Sequence, residues 1–152
     1  MATGTTTARI GRALYHTSVE MGGHNLIADE PAAVGGGDEG PTPYDLLLAA
    51  LGACTAMTLR LYAAHKKLTL GRVSVAVSHG KVPAAHCADC GEAAEGQTGK
   101  IDRFERVISV DGEVDGALRE KLIEIAGKCP VHRTLEHTSA VVTRVAEGPN
   151  AS

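Results

Sequence analysis

A chain of 152 residues has the length of one ordinary domain, enough to bury a core without disulfide or metal staples. Its 15 Lys and Arg against 18 Asp and Glu give a formal net charge of −3 with no basic run, which argues against a nucleic-acid partner. One Phe, three Tyr and no Trp leave the core to aliphatic side chains, and the opening MATGTTTAR holds no apolar leader segment, so a cytoplasmic protein without a membrane anchor is expected.

The whole of 1–152 is read as a single α+β domain. Met1 to Thr7 reads as a disordered lead. Ala8 to Glu20 has β character, Gly22-Gly23 is a turn signal, and His24 to Asp29 is a second strand, giving an N-terminal hairpin. Glu30 to Gly40 is a loop by composition, mobile through its consecutive glycines. Gly40 to Lys67 then reads as one long helix, apolar on nearly every face, as a buried helix is. Thr42 is its expected N-cap, Pro43 its first residue, and Asp45 completes a capping-box variant. Ala49, Ala50, Gly52, Ala53 and Ala56 are small, which fits close approach by a second helix or a second subunit. A membrane span is disfavoured by Arg60 within the apolar run.

Further on, Leu70 to His79 alternates as a half-buried strand with Val73, Val75 and Val77 on one face. Gly80 to Lys100 is a polar excursion containing HCADC. Ile101 to Val110 is the next strand, Asp111-Gly112 a turn, and Asp115 to Lys128 an amphipathic helix broken by Cys129-Pro130. Val131 to Glu136 forms a short helical turn, and Ser139 to Val145 is expected to be a last strand. Strands come in clusters rather than alternating singly with helices, the α+β pattern.

Two cysteines carry the chemical interest. Cys54 sits near the middle of the long helix with no local feature that would activate it. Cys129 precedes Pro130 and would cap the short helix, at the positive end of its peptide dipoles, with Lys128 and Arg133 close by. Two thiols on separate helices could share one site; equally, both could be small buried hydrophobes. His132 and Arg133, one turn beyond Cys129, could touch its thiolate or face solvent.

PYDLLLAALGACTAMTLRLYA and, far downstream, KCPVHRTL resemble the two cysteine motifs of the OsmC/Ohr family of osmotically inducible and organic hydroperoxide resistance proteins, with the first motif most similar to the YhfA-like branch. The resemblance implies an α+β fold in which two sheets wrap central cysteine-bearing helices in an intertwined homodimer. It implies reduction of an organic hydroperoxide without a cofactor: Cys54 attacks and becomes a sulfenate, Cys129 resolves it as a disulfide, and a dithiol or lipoyl-type reductant restores the pair. It also implies an activating arginine on the first strand, for which Arg12 is preferred over Arg9, held by a Glu at the start of the cysteine helix. That Glu position holds Tyr44. Asp45 beside it is the candidate substitute, although an adjacent helical residue points about 100° away.

Cys87 and Cys90 form half of a zinc signature, which His79 and His86 could complete; the alternatives are an auxiliary redox pair or loop thiols without a role. Two further readings compete with the reductase: a module binding a lipid-like molecule in an apolar cleft, and a dimeric partner-binding domain.

Overall fold

The computed structural model describes residues 4–147. Three strands, β1 (Thr6–Ile10), β2 (Thr17–Met21) and β3 (His24–Ala28), form an antiparallel sheet in the order β1-β2-β3. The hairpin closes at Gly22-Gly23 as expected, with Val19 opposite Leu26. The segment read as one β stretch is two strands. The chain turns back between Ile10 and Thr17, so that Arg9 lies opposite Ser18. Of the expected disordered lead, residues 1–3 lie outside the described region, while Thr6 and Thr7 already belong to β1.

The glycine-rich loop is tied down rather than loose. Asp29, only 2% exposed, accepts backbone N–H bonds from Glu30 at 2.8 Å, Gly37 at 3.1 Å and Glu39 at 3.3 Å. Gly40 closes the loop against β3, where a Cβ would lie 1.8 Å from the Ile27 carbonyl oxygen. No other residue fits such an approach.

Helix α1 (Pro43–His65) follows the sequence closely. The capping box is complete: Asp45 N–H donates to Thr42 Oγ1 at 3.1 Å, and Thr42 N–H donates to Asp45 Oδ2 at 2.9 Å. The helix ends in a Schellman arrangement with Lys67 in the left-handed region at φ 55°, Leu68 N–H reaching Ala63 O at 2.8 Å and Lys67 N–H reaching Ala64 O at 3.2 Å. By length and hydropathy α1 could cross a membrane. In this fold it is instead the helix against which β4, α2 and α3 pack.

Strands β4 (Val73–Pro83) and β5 (Lys100–Val110) form a long two-stranded hairpin. β4 runs past the expected end at His79 because β5 continues opposite it: Lys81 and His79 both pair with Asp102 across the strands. The excursion therefore narrows to the residues between Pro83 and Lys100. Gly52 lets α1 settle on β4, since a Cβ there would sit 3.3 Å from Val77 Cγ2. The close approach permitted by a small residue is thus to a strand of the same chain.

Helices α2 (Gly116–Ala126) and α3 (Pro130–Glu136) complete the order. The buried cluster joins Leu59 of α1 to Leu122, Ile125 and Ala126 of α2, flanked by Val73, Ile108 and Val110 of the hairpin. Only one face of α1 is covered in this way. Ala49, Ala50, Ala53, Met57 and Leu61 are exposed, so the expectation of a helix buried all round does not hold within one chain. The expected last strand is also missing: Ser139 to Val145 carries no strand pairing, and Val141 is 90% exposed. A strand exists only where an edge is free to pair with it, and this segment meets none.

Candidate active site

Three elements converge on the thiols. Cys54 lies on the partly covered side of α1, and Cys129 is the N-cap of α3, fully buried. Both are free and near enough for each thiol to bear on the other's ionisation, so the fold brings together two residues 75 positions apart in sequence. The end of α2 holds Cys129 in place, Cys129 N–H donating to Ala126 O at 3.2 Å, and Arg133 N–H donates to Cys129 O at 3.1 Å to begin α3.

The two sulfurs experience different surroundings. Burial pushes the Cys54 thiol up, and its hydrogen bond with Cys129 pushes it further, outweighing the Val131 N–H and the Thr58 hydroxyl. Burial pushes Cys129 up as well. There the bonds from the Cys54 thiol, the His132 N–H, the Thr55 hydroxyl and the Val131 N–H prevail, and its pKa falls below the ordinary thiol value. The two thiols share their titration, and Cys54 is the more open of the two to solvent.

Behind the thiols stands Arg106 of β5, which the sequence reading did not single out. One guanidinium nitrogen donates to Thr55 Oγ1 at 2.9 Å and to Ala126 O at 3.0 Å, and the other terminal nitrogen donates to His132 Nδ1 at 2.9 Å. Because Nδ1 accepts from a group that can only donate, the His132 ring proton belongs on Nε2, which faces Glu136 Oε2 at 3.1 Å. Thr55 and Thr58 bond back to the helix, their hydroxyls donating to Leu51 O at 2.7 Å and Cys54 O at 2.8 Å. Thr55 additionally touches the site. A signal for Arg106 was present: in IDRFERVISV it shares its alternation phase with Ile108 and Val110, the inward row.

The other expected site residues lie elsewhere. Arg12 is exposed on the turn between β1 and β2 and makes no hydrogen bond or ion pair among the described residues; Arg9 pairs with Glu20 at 3.3 Å on the surface. Asp45 does not substitute for an arginine-holding Glu. Its carboxylate is engaged at the helix cap, held below the usual range by the Thr42 N–H and then the Thr42 hydroxyl, and it lies nine residues, roughly 13 Å along the axis, before Cys54. Tyr44 stacks on the His79 ring at 4.7 Å, and His79 leans on Phe104 at 4.8 Å. Arg133 is exposed. Cys87 and Cys90 are joined as a disulfide, with Asp89 beside them rather than either expected histidine: His79 is bound to Asp102 at 2.7 Å.

The sequence profile of the OsmC-like proteins matches residues 35–144, a stretch holding both cysteines. The chain belongs to the OsmC family. Solved structures share the OsmC fold. One is an organic hydroperoxide resistance protein OsmC from Legionella pneumophila, described as a predicted redox protein, with 21% identity, 89% of this chain and 90% of that one covered, and a TM-score of 0.64. Others are an organic hydroperoxide resistance protein from Elizabethkingia anophelis, at 22% identity, 88% coverage of each chain and a TM-score of 0.64, and the organic hydroperoxide resistance protein OhrB of Bacillus subtilis, at 20% identity, 88% and 90% coverage and a TM-score of 0.59. At these identities the likeness is one of fold. No functionally curated protein matches the chain in sequence. The similarity to the YhfA-like branch rests on the helix motif alone.

Proposed function

We propose that this OsmC-family protein reduces organic hydroperoxides with Cys54 and Cys129. The observation that carries the reading is the meeting of an accessible thiol and a buried, thiolate-favouring one across α1 and α3. In the active tautomer Cys54 is the thiolate and Cys129 keeps the shared proton. Cys54 sulfur attacks the terminal peroxide oxygen, the O–O bond breaks, and the departing alkoxide takes the proton from Cys129 to leave as the alcohol. Cys129 thiolate then attacks the Cys54 sulfenic acid, forming the S–S bond and releasing hydroxide, which becomes water. A dithiol or lipoyl-type reductant returns both thiols. No cofactor is called for, and the reaction suits the cytoplasm.

The same proposal includes a homodimer, with 1–152 as a single domain. The exposed apolar stripe of α1 from Ala50 to Leu61 and the unpaired valines of Val141 to Val145 are the surfaces a second copy would cover. The lipid-binding alternative has one observation in its favour, an apolar groove of about 630 Å³ lined by Ala56, Met57, Arg60, Leu61, Ala64 and Val73. Neither thiol lines it, so the groove fits a covered interface better than a site whose chemistry needs sulfur.

The deciding experiment supplies the reduced protein with an alkyl hydroperoxide and a dithiol. Cys54→Ser is expected to abolish peroxide consumption. Cys129→Ser is expected to consume about one equivalent without closing a disulfide, leaving a sulfenate that a dimedone-type probe captures. Undiminished turnover by Cys54→Ser would end the proposal.

A further inference from the structure

The guanidinium of Arg106 is half-buried, yet among the described residues no carboxylate pairs with it; its partners are a hydroxyl, a carbonyl and an imidazole nitrogen, all neutral. Other arginines of the described residues that make ion pairs, Arg9 and Arg103, face carboxylates on the surface. A cation withdrawn from water without a counter-charge is costly unless an anion is to form beside it. The ionisable group bonded to it directly is His132, which carries Glu136 on its other ring nitrogen at 3.1 Å; Cys129 is one group further away, reached by two routes. The Ala126 carbonyl accepts from both the Arg106 guanidinium and the Cys129 N–H. The Thr55 hydroxyl, which accepts from Arg106 at 2.9 Å, is also near enough to the Cys129 sulfur to favour its thiolate. With both lone pairs of Ala126 O engaged and Thr55 oxygen polarised by the guanidinium, the Thr55 proton is free to turn from Leu51 O towards sulfur when charge develops there.

We propose that Arg106 is the positioning cation of the thiol pair: through Thr55 and the α2–α3 junction it holds the negative charge on Cys129 and so drives disulfide closure. The inference rests on the two-thiol reading above and assigns the charge within it. Arg106 touches neither the peroxide nor the reacting sulfurs. It acts on the second step, where Cys129 must be a thiolate to attack the Cys54 sulfenic acid, and on the shared proton that the first step hands to the alkoxide.

The test uses the full chain carrying Arg106→Gln, Arg106→Lys and Thr55→Val. The ultraviolet absorbance of thiolate is followed against pH in the reduced proteins, and disulfide closure is followed after a single equivalent of alkyl hydroperoxide. Arg106→Gln is expected to move the thiolate midpoint upward and to slow closure about tenfold at neutral pH, with a sulfenate accumulating and overoxidation rising. Arg106→Lys keeps the charge but not the fork and is expected to recover part of both. Thr55→Val keeps the volume, removes the hydroxyl, and is expected to shift the midpoint in the same direction, a readout that survives should the glutamine variant fold poorly. Midpoints and closure rates unchanged from the parent overturn the inference. Failure of the parent itself to close the disulfide overturns the reductase reading instead, and the pH midpoints still judge Arg106.

Discussion

Asp29 shows how one buried carboxylate can organise a loop. Its oxygens collect N–H groups from Glu30, Glu39 and Gly37, which hold its pKa below the ordinary carboxylate value against the opposing effect of burial. A carboxylate depressed in the folded state adds stability above its unfolded pKa, and that contribution disappears as pH falls through the folded value. Asp29→Asn is therefore expected to lower the melting temperature at pH 7 and to have little effect well below the usual carboxylate range, as thermal scans at the two pH values would show. The composition of the Glu30–Gly40 loop gave no hint of this, because glycine content reports backbone freedom and not the acceptor that removes it. The thiols follow the same logic: the positions of Cys54 and Cys129 were legible, but the inequality between them comes from N–H and O–H groups of other elements.

At the scale of the element, helix α1 was written plainly in the sequence. Thr42, Pro43 and Asp45 set its start where local chemistry alone requires it, and the apolar run set its length. Its end is less favourable. Lys67 adopts φ 55°, a region that costs a side-chain-bearing residue about 1 kcal/mol and glycine almost nothing. Lys67→Gly is thus expected to stabilise the fold by up to about 1 kcal/mol, measured by urea denaturation, the gain reduced by the greater freedom of glycine in the unfolded chain. Strand β5 was also legible, and its phase placed Arg106 on the inward row beside Ile108 and Val110. What the alternation could not supply is the reason a charge is tolerated there, which lies in Thr55, Ala126 and His132 of three separate helices.

For the molecule as a whole, the apolar surface left open is the largest departure from the sequence reading. Met57 at 71% and Leu61 at 60% exposure sit on the same stripe of α1, and the valines near the C-terminal end lack a strand to join. Under the dimer proposed above, the parent chain is expected to sediment as two copies, and Met57→Glu, which sets a charge in the stripe, to sediment as one. The sequence by itself determined the α+β class, the long cysteine helix, the turn at Gly22-Gly23 and the two thiols as candidates, because caps, turn residues and hydrophobic period act over a few neighbouring positions. Only the tertiary structure decided that the C-terminal segment is not a strand, that Asp45 serves the cap, that Arg12 stays outside and that Arg106 stands behind the sulfurs. Each of those depends on which distant groups meet, and a hydrogen bond or a strand pairing exists only when its second half arrives.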